Sequence, residues 1–223
     1  MSQERWAAVD RYITDLLVQP DPALEAALKD SVKAGLPPIN VSPPQGKLLH
    51  ILAKMQGARR ILEVGTLGGY STIWLASALS RGGKLITLEV DPRHAEIARK
   101  NIGRAGLTKA VEVRLGNALD TLPKLVSEGR GPFDLVFIDA DKPSNPEYFA
   151  WALKLSRKGT LIVVDNVVRD GAVVDAKSRD ASVRGVRRLN QVIAAEKRVV
   201  ATTIQTVSAK GYDGFAVALV VVD

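Results

Sequence analysis

Ile61-Leu62-Glu63-Val64-Gly65-Thr66-Leu67-Gly68-Gly69-Tyr70-Ser71-Thr72 holds the plan of the fold in one stretch. It opens on a short apolar run of the kind buried in a sheet, passes through a glycine-rich turn, and enters a helical pattern expected to reach about residue 81. Glycines at a strand-to-helix turn let a ligand approach the backbone closely. The same unit recurs downstream. Strand candidates at 60–64, 84–89, 111–115, 133–138 and 160–164 alternate with helical segments at 70–81, 92–105, 117–127 and 145–156. That alternation predicts a parallel sheet covered by helices on both faces.

The flanks add to this plan. Residues 3–18 and 21–34 read as helices, separated by Pro20 and Pro22 and ended by Gly35; Leu36-Pro37-Pro38 is extended, and Pro43-Pro44 opens a helix to about Gly57. After a helix at 181–196, a β-rich run from Val199 to Gln205 is followed by a turn at Lys210–Gly214 and a last strand at Phe215–Val222. Strands joined by so short a loop are antiparallel neighbours. The expected fold is α/β: a seven-stranded, mostly parallel sheet with one antiparallel strand near an edge, helices on both faces and extra N-terminal helices. No repeat or linker divides the chain, so a single domain is expected over 1–223, with N-terminal helices in 1–57 and the core in 58–223.

Composition narrows the chemistry. Of 223 residues 46% are hydrophobic and 25% charged, an ordinary soluble balance. There is no apolar run long enough to span a bilayer, and the charged start MSQERWAAVDRY has no secretory h-region, so a cytoplasmic protein without a membrane partner is expected. Cysteine is absent and only His50 and His94 supply imidazole. A bound metal would therefore be held by oxygen, which favours Mg, Mn or Ca. The net charge of +7 attracts polyanions. Yet the one dense basic cluster, Lys177, Arg179, Arg184, Arg187 and Arg188, has no interleaved aromatics for base stacking, and reads as a solvated helix face and loop rather than a nucleic-acid surface.

The ends of the strands carry the candidate site. Glu89 closes the second strand, where an acid can accept hydrogen bonds from ribose hydroxyls or be a solvated strand end. Gly116-Asn117-Ala118 follows the third strand, where an adenine would lie; Asn117 can equally cap a helix. Ser71 can satisfy free N–H groups at a helix start or hold a ligand carboxylate there. Together they favour an adenosine ligand, although the spacing is not that of the dinucleotide fingerprint. Phe137-Ile138-Asp139-Ala140-Asp141-Lys142 ends one buried strand and Asp165-Asn166 ends the next. Burying carboxylates is costly unless they are paired or bind a metal. Asp139, Asp165 and Asn166 thus offer three oxygen ligands on one rim, with Lys142 beside them as a candidate general base. His50 and His94 read as structural, and Trp151, with Tyr148 and Phe149, as helix packing ahead of a substrate wall.

The stretches INVSPPQGKLL (39–49), ILEVGTLGGYSTIWLASAL (61–79), LITLEVDPRHAEIARKNI (85–102), FDLVFIDADK (133–142) and GTLIVVDNVVRDGAV (159–173) occur together and in order. In this combination the chain resembles the metal-dependent class I O-methyltransferases, the group of caffeoyl-CoA and catechol O-methyltransferases and their bacterial relatives. The resemblance implies a Rossmann-like fold, S-adenosyl-L-methionine as methyl donor, a divalent cation with Mg first, and a small vicinal diol, usually aromatic, as acceptor. It implies that Val41, Gly65, Tyr70 and Ser71 line the methionine part of the donor, that Glu63 orients the loop, that Glu89 binds the ribose and that Asn117 and Ala118 lie by the adenine. Asp139, Asp165 and Asn166 match the metal ligands, with Asp139 also bordering the donor, and Lys142 matches the base. A homodimer is implied as well, with the N-terminal helices near the acceptor.

Two departures bear on the acceptor. Asp141 stands where the animal catechol enzymes have tryptophan, as in the plant and bacterial branch. Pro143-Ser144-Asn145-Pro146 replaces the Asn-Tyr pair that often follows D-A-D-K there. The acceptor pocket is therefore expected to be altered, and caffeoyl-CoA specificity is not carried over. The alternatives are a metal-independent class I methyltransferase acting on RNA, which predicts salt-sensitive RNA binding, a non-catalytic protein that binds an adenosine cofactor, and an NAD-dependent oxidoreductase.

Overall fold

The computed structural model describes residues 2–223 and contains one seven-stranded sheet in the order β3-β2-β1-β4-β5-β7-β6. The strands are β1 (Arg60–Val64), β2 (Lys84–Glu89), β3 (Val111–Leu115), β4 (Leu135–Ile138), β5 (Leu161–Asp165), β6 (Val199–Ser208) and β7 (Gly211–Val220). β1 to β5 are parallel, and β7 runs antiparallel to both β5 and β6. The helices are α1 (Gln3–Leu17), α2 (Pro22–Lys33), α3 (Pro43–Met55), α4 (Tyr70–Ser77), α5 (Pro92–Arg104), α6 (Ala118–Ser127), α7 (Asn145–Lys154) and α8 (Ala181–Ala195). None of them is long and apolar enough to cross a membrane. The chain steps from β1 outward to β2 and β3, then returns to place β4 and β5 on the other side. This reversal opens a crevice at the carboxyl ends of β1 and β4, where open α/β sheets bind ligands.

Alternate residues along each central strand enter opposite cores. Leu62, Val64, Val136, Ile138, Ile162 and Val164 pack under α6, α7 and α8 against Leu125, Phe149 and Leu189. Ile61, Leu85, Leu135, Phe137 and Val163 pack under α2 to α5 against Ala27, Leu49, Ile73 and Ile102. Fully burying one such side chain contributes about 1.5–3 kcal/mol, so the two-sided burial fixes the register of the strands that carry the site. Helix starts are set locally. Asp21, Ser42, Asp91, Asn117 and Asp180 accept backbone N–H groups at the starts of α2, α3, α5, α6 and α8, and prolines sit in the first turn of α2, α3 and α5. Such a cap is worth about 1 kcal/mol.

Several boundaries differ from the sequence expectation. α4 ends at Ser77 because Ser80 turns back to bond the carbonyl of Ala58. β4 begins at Leu135, since Phe133 N bonds the carbonyl of Leu155 and Asp134 spends a carboxylate oxygen on the N–H groups of Arg59 and Arg60. Residues 211–214 of the expected turn lie inside β7. Ser208 already pairs with Gly211 and Gln205 with Gly214, so Ala209-Lys210 alone reverses the chain. The glycines that read as turn residues are accommodated in the ladder.

Candidate active site

Two cavities meet on the rim above β1, β4 and β5. The first, about 520 Å³, lies over the glycine turn and the ends of β1, β2 and β3. The second, about 450 Å³, lies over the end of β5 and the β6–β7 turn. Val41, Asn166 and Arg169 line both, so the two share a wall.

In the first cavity, Gly65 (φ +97°) lets β1 end directly against β4: a Cβ there would lie 2.0 Å from the carbonyl oxygen of Asp139. Tyr70 and Ser71 open α4 beside it and face the cavity. Glu63 does not line the cavity. It is completely buried behind the turn and accepts hydrogen bonds from Ser71 Oγ (2.7 Å) and Thr72 Oγ1 (2.5 Å). Burial pushes its carboxyl up to about 7, with the Thr72, Ser71 and Thr87 hydroxyls opposing. The bonds to Ser71 and Thr72 tie it to the first turn of α4. Glu89 does line the cavity, but its carboxylate is already engaged. Oε2 accepts the N–H groups of Thr66 and Leu67 and Oε1 those of Val90 and Asp91, at 2.8–3.1 Å. Asn117 Oδ1 caps α6 through Leu119 N (2.8 Å), and Asn117 and Ala118 both face the cavity.

On the β4 and β5 side, Ile138 pairs with Val164, so Asp139 and Asp165 leave adjacent strand ends side by side. Lys142 Nζ donates to Asp139 Oδ1 at 2.7 Å, and its side chain is only 10% exposed. Asp165 is buried, with Oδ2 taking the amide of Gln45 (2.8 Å) and Oδ1 the N–H of Asn166 (2.9 Å). Burial first, and the charge of Asp139 second, push the Asp165 carboxyl well above the usual range, against Lys142. Asn166 holds a left-handed backbone (φ +57°) that brings it round to the same rim. No cluster of three or more His, Cys, Asp or Glu side chains suited to a metal exists among the described residues. The donor set is instead two carboxylates and an amide. It fits a hard cation chemically, since all three are oxygen donors and a buried acid crowded by a second acid is stabilised by positive charge.

Sequence reasoning passed over five residues here. Gln45 sits in the first turn of α3 and reaches Asp165; its nearest signal was membership of the INVSPPQ stretch. His94 lines the first cavity with Nδ1 3.6 Å from Glu89 Oε1, whereas His50 bonds Trp74 O and Ser77 Oγ within the helices. Tyr148 faces the first cavity and donates its hydroxyl to Asp141; burial first, and that carboxylate second, push its phenol up. Trp151 packs against the core with Lys154 Nζ 4.1 Å over its ring. Arg169 and Lys210 project into the second cavity. Lys210 Nζ turns onto the carbonyls of Pro38 and Asn40, and desolvation holds it below the usual lysine range against the charges of Asp139 and Asp165.

A family model described as O-methyltransferase matches residues 16–216. A catechol O-methyltransferase of Niastella koreensis is 56% identical over 99% of this chain and 100% of its own length. One of Mycobacterium tuberculosis is 54% identical over 95% and 94%. Among solved structures, an O-methyltransferase from Bacillus cereus in complex with SAH superposes with a TM-score of 0.97 at 57% identity, covering 98% of this chain and 100% of that one. TomG from Streptomyces achromogenes, involved in tomaymycin synthesis and solved with SAM, gives a TM-score of 0.96 at 54% identity and covers 99% of both chains. With a family match across nine-tenths of its length and relatives above half identity from end to end, the chain belongs to the O-methyltransferase family.

Proposed function

We propose that the protein transfers the methyl group of S-adenosyl-L-methionine to one hydroxyl of a small catechol-like vicinal diol, with a divalent cation, Mg before Mn or Ca, at Asp139, Asp165 and Asn166. The observation that carries this reading is Lys142 held by Asp139 at 2.7 Å in the lining of the first cavity, with the buried Asp165 of the adjacent strand end lining the second. It is supported by two relatives named catechol O-methyltransferase and by structural neighbours solved with SAM or SAH.

The first cavity takes the donor. Tyr70 and Ser71 at the start of α4 lie by its methionine end, the helix N-terminus suiting a carboxylate. Glu89 meets the ribose by exchanging some of its four backbone partners, and Asn117 and Ala118 border the adenine. The second cavity takes the acceptor. A cation held by these residues would supply positive charge that favours the deprotonated form of an acceptor hydroxyl. Lys142 removes the proton from that oxygen, and Asp139 keeps the amine in place. Gln45 and the N–H of Asn166 hold Asp165 so that its carboxylate stays on the rim. Most of the rate gain then comes from orientation and from electrostatic stabilisation of the attacking oxygen.

A homodimer is part of the proposal. Exposed apolar residues gather on α1 (Tyr12, Leu16 and Leu17), on α3 (Ile51 and Met55) and on the edge strand β6 (Val200, Ile204 and Val207), and α1 packs on both α3 and β6.

Labelled donor tested against catechols, caffeoyl esters and flavonoids checks the reading. Monomethylated products are expected from vicinal diols and none from the matching monophenols. Equal methylation of the monophenols would overturn it.

A further inference from the structure

The second cavity holds more charge than methyl transfer to a neutral diol requires. Asp165, Asp170, Asp180, Asp213, Arg169 and Lys210 all line it. Two of the acids, Asp213 and Asp180, cap backbone N–H groups, and Asp165 belongs to the proposed metal set. Asp213 Oδ1 accepts the N–H groups of Val168, Arg169 and Gly214 at 3.0, 2.9 and 3.0 Å. Asp180 Oδ1 caps α8 through Ser182 and Val183 at 2.6 and 3.1 Å. Asp165 holds Gln45 and Asn166. Asp170 is exposed to solvent.

The two cations are not matched in this way. Arg114, Arg157 and Arg198 each meet a carboxylate at 2.6–2.7 Å. Arg169 comes only within 3.8 Å of Asp213 Oδ2, and its Nε is buried with no hydrogen-bond partner. It is also held in a left-handed backbone (φ +56°), followed by Asp170 at +55°. That conformation is uncommon for a non-glycine residue such as arginine, and such residues cluster at functional sites. Lys210 has only the carbonyls of Pro38 and Asn40 as partners, and among the described residues no carboxylate lies within ion-pair distance of it. A guanidinium with spare donors suits a planar carboxylate, and a cavity of about 450 Å³ is large enough for one substituted ring.

We propose that Arg169 and Lys210 select a catechol acid, an acceptor whose ring bears a carboxylate in addition to the vicinal diol. This rests on the methyl-transfer reading of the same site. Substrate selection then has two parts: the diol is selected at the set of Asp139, Asp165 and Asn166, and the acid at the two cations.

The test is calorimetry on the full chain with Mg and S-adenosylhomocysteine, using 3,4-dihydroxybenzoate and its amide, 3,4-dihydroxybenzamide. The acid is expected to bind about tenfold more tightly than the amide, the size of a charge-assisted contact. Arg169→Gln and Lys210→Met should each collapse that ratio towards one, and the ratio cancels any general loosening that a variant causes. Equal affinity for acid and amide in the wild type, or a ratio unchanged in both variants, would overturn the proposal. Turnover of the amide separates the two levels. If the amide is methylated and the acid is no better, only the acid selection fails. If neither is bound or methylated, the methyl-transfer reading fails with it.

Discussion

Glu63 has no exposed surface, and its carboxyl is pushed up to about 7 by burial. In the unfolded chain it titrates near 4.5, so between about 4.5 and 7 the native state binds the extra proton. Stability on this account falls as pH rises through that window, by roughly 3 kcal/mol in total. Urea unfolding of metal-free protein at pH 5 and pH 8 should show the fall, and Glu63→Gln should flatten it; an unchanged slope in the variant would assign the pH dependence elsewhere. Lys142 is tied to Asp139 and not to bulk water. Lys142→Met is expected to lower kcat by roughly 10²–10⁴, the usual contribution of a general base, while donor binding measured by calorimetry stays near wild type. At this scale sequence reading singled out the acids and the lysine, because carboxylates after buried runs demand an explanation, and the structure brings them together on one rim. It missed partners that arrive from distant segments: Gln45 from α3 to Asp165, and Lys210 from a hairpin to Pro38 and Asn40. His94 and Tyr148 read as packing because their helices do pack, while one face of each helix also walls the cavity.

Among the elements, α8 and the short 3₁₀ turn Lys142–Ser144 decide where the candidate base sits. They touch through Gly185, where a Cβ would stand 2.2 Å from the carbonyl oxygen of Lys142 and 2.6 Å from Pro143 Cα. Helix propensity alone would make Gly185→Ala stabilising by about 0.5–1 kcal/mol. Overpacking against backbone costs about 1–3 kcal/mol, so the variant should be less stable and lose kcat as the turn shifts. A raised melting temperature with full kcat would show that the contact gives way. Pro143 and Pro146, where the chain departs from its family's pattern, fit the first turns of the 3₁₀ turn and of α7, and Asp141 caps the former through Ser144 N. The strands β1 to β3 match their expected bounds because each apolar run stops at a glycine or charged residue. β7 was misplaced at its start because Gly211 and Gly214 are turn signals locally and ladder residues only in the presence of β6.

For the molecule as a whole, the reversal of strand order at β1 and β4 places the two cavities side by side. The basic cluster near α8 is partly spent internally: Arg188 pairs with Glu147 and Arg187 bonds the carbonyl of Val173. The apolar surface of α1, α3 and β6 is the face expected to close a dimer. Sedimentation should give a mass near twice 24.0 kDa, and Leu16→Glu with Ile204→Glu should reduce it; a wild-type monomer would contradict the dimer. The most direct test concerns the metal-assisted transfer itself. The initial rate of methyl transfer from labelled S-adenosyl-L-methionine to 3,4-dihydroxybenzamide can be measured in Mg buffer, in chelator, and in chelator with Mg restored. Loss of the rate in chelator and its recovery with Mg are expected, with Asp139→Ala inactive throughout. A rate undiminished by chelator would contradict the assignment of Asp139, Asp165 and Asn166.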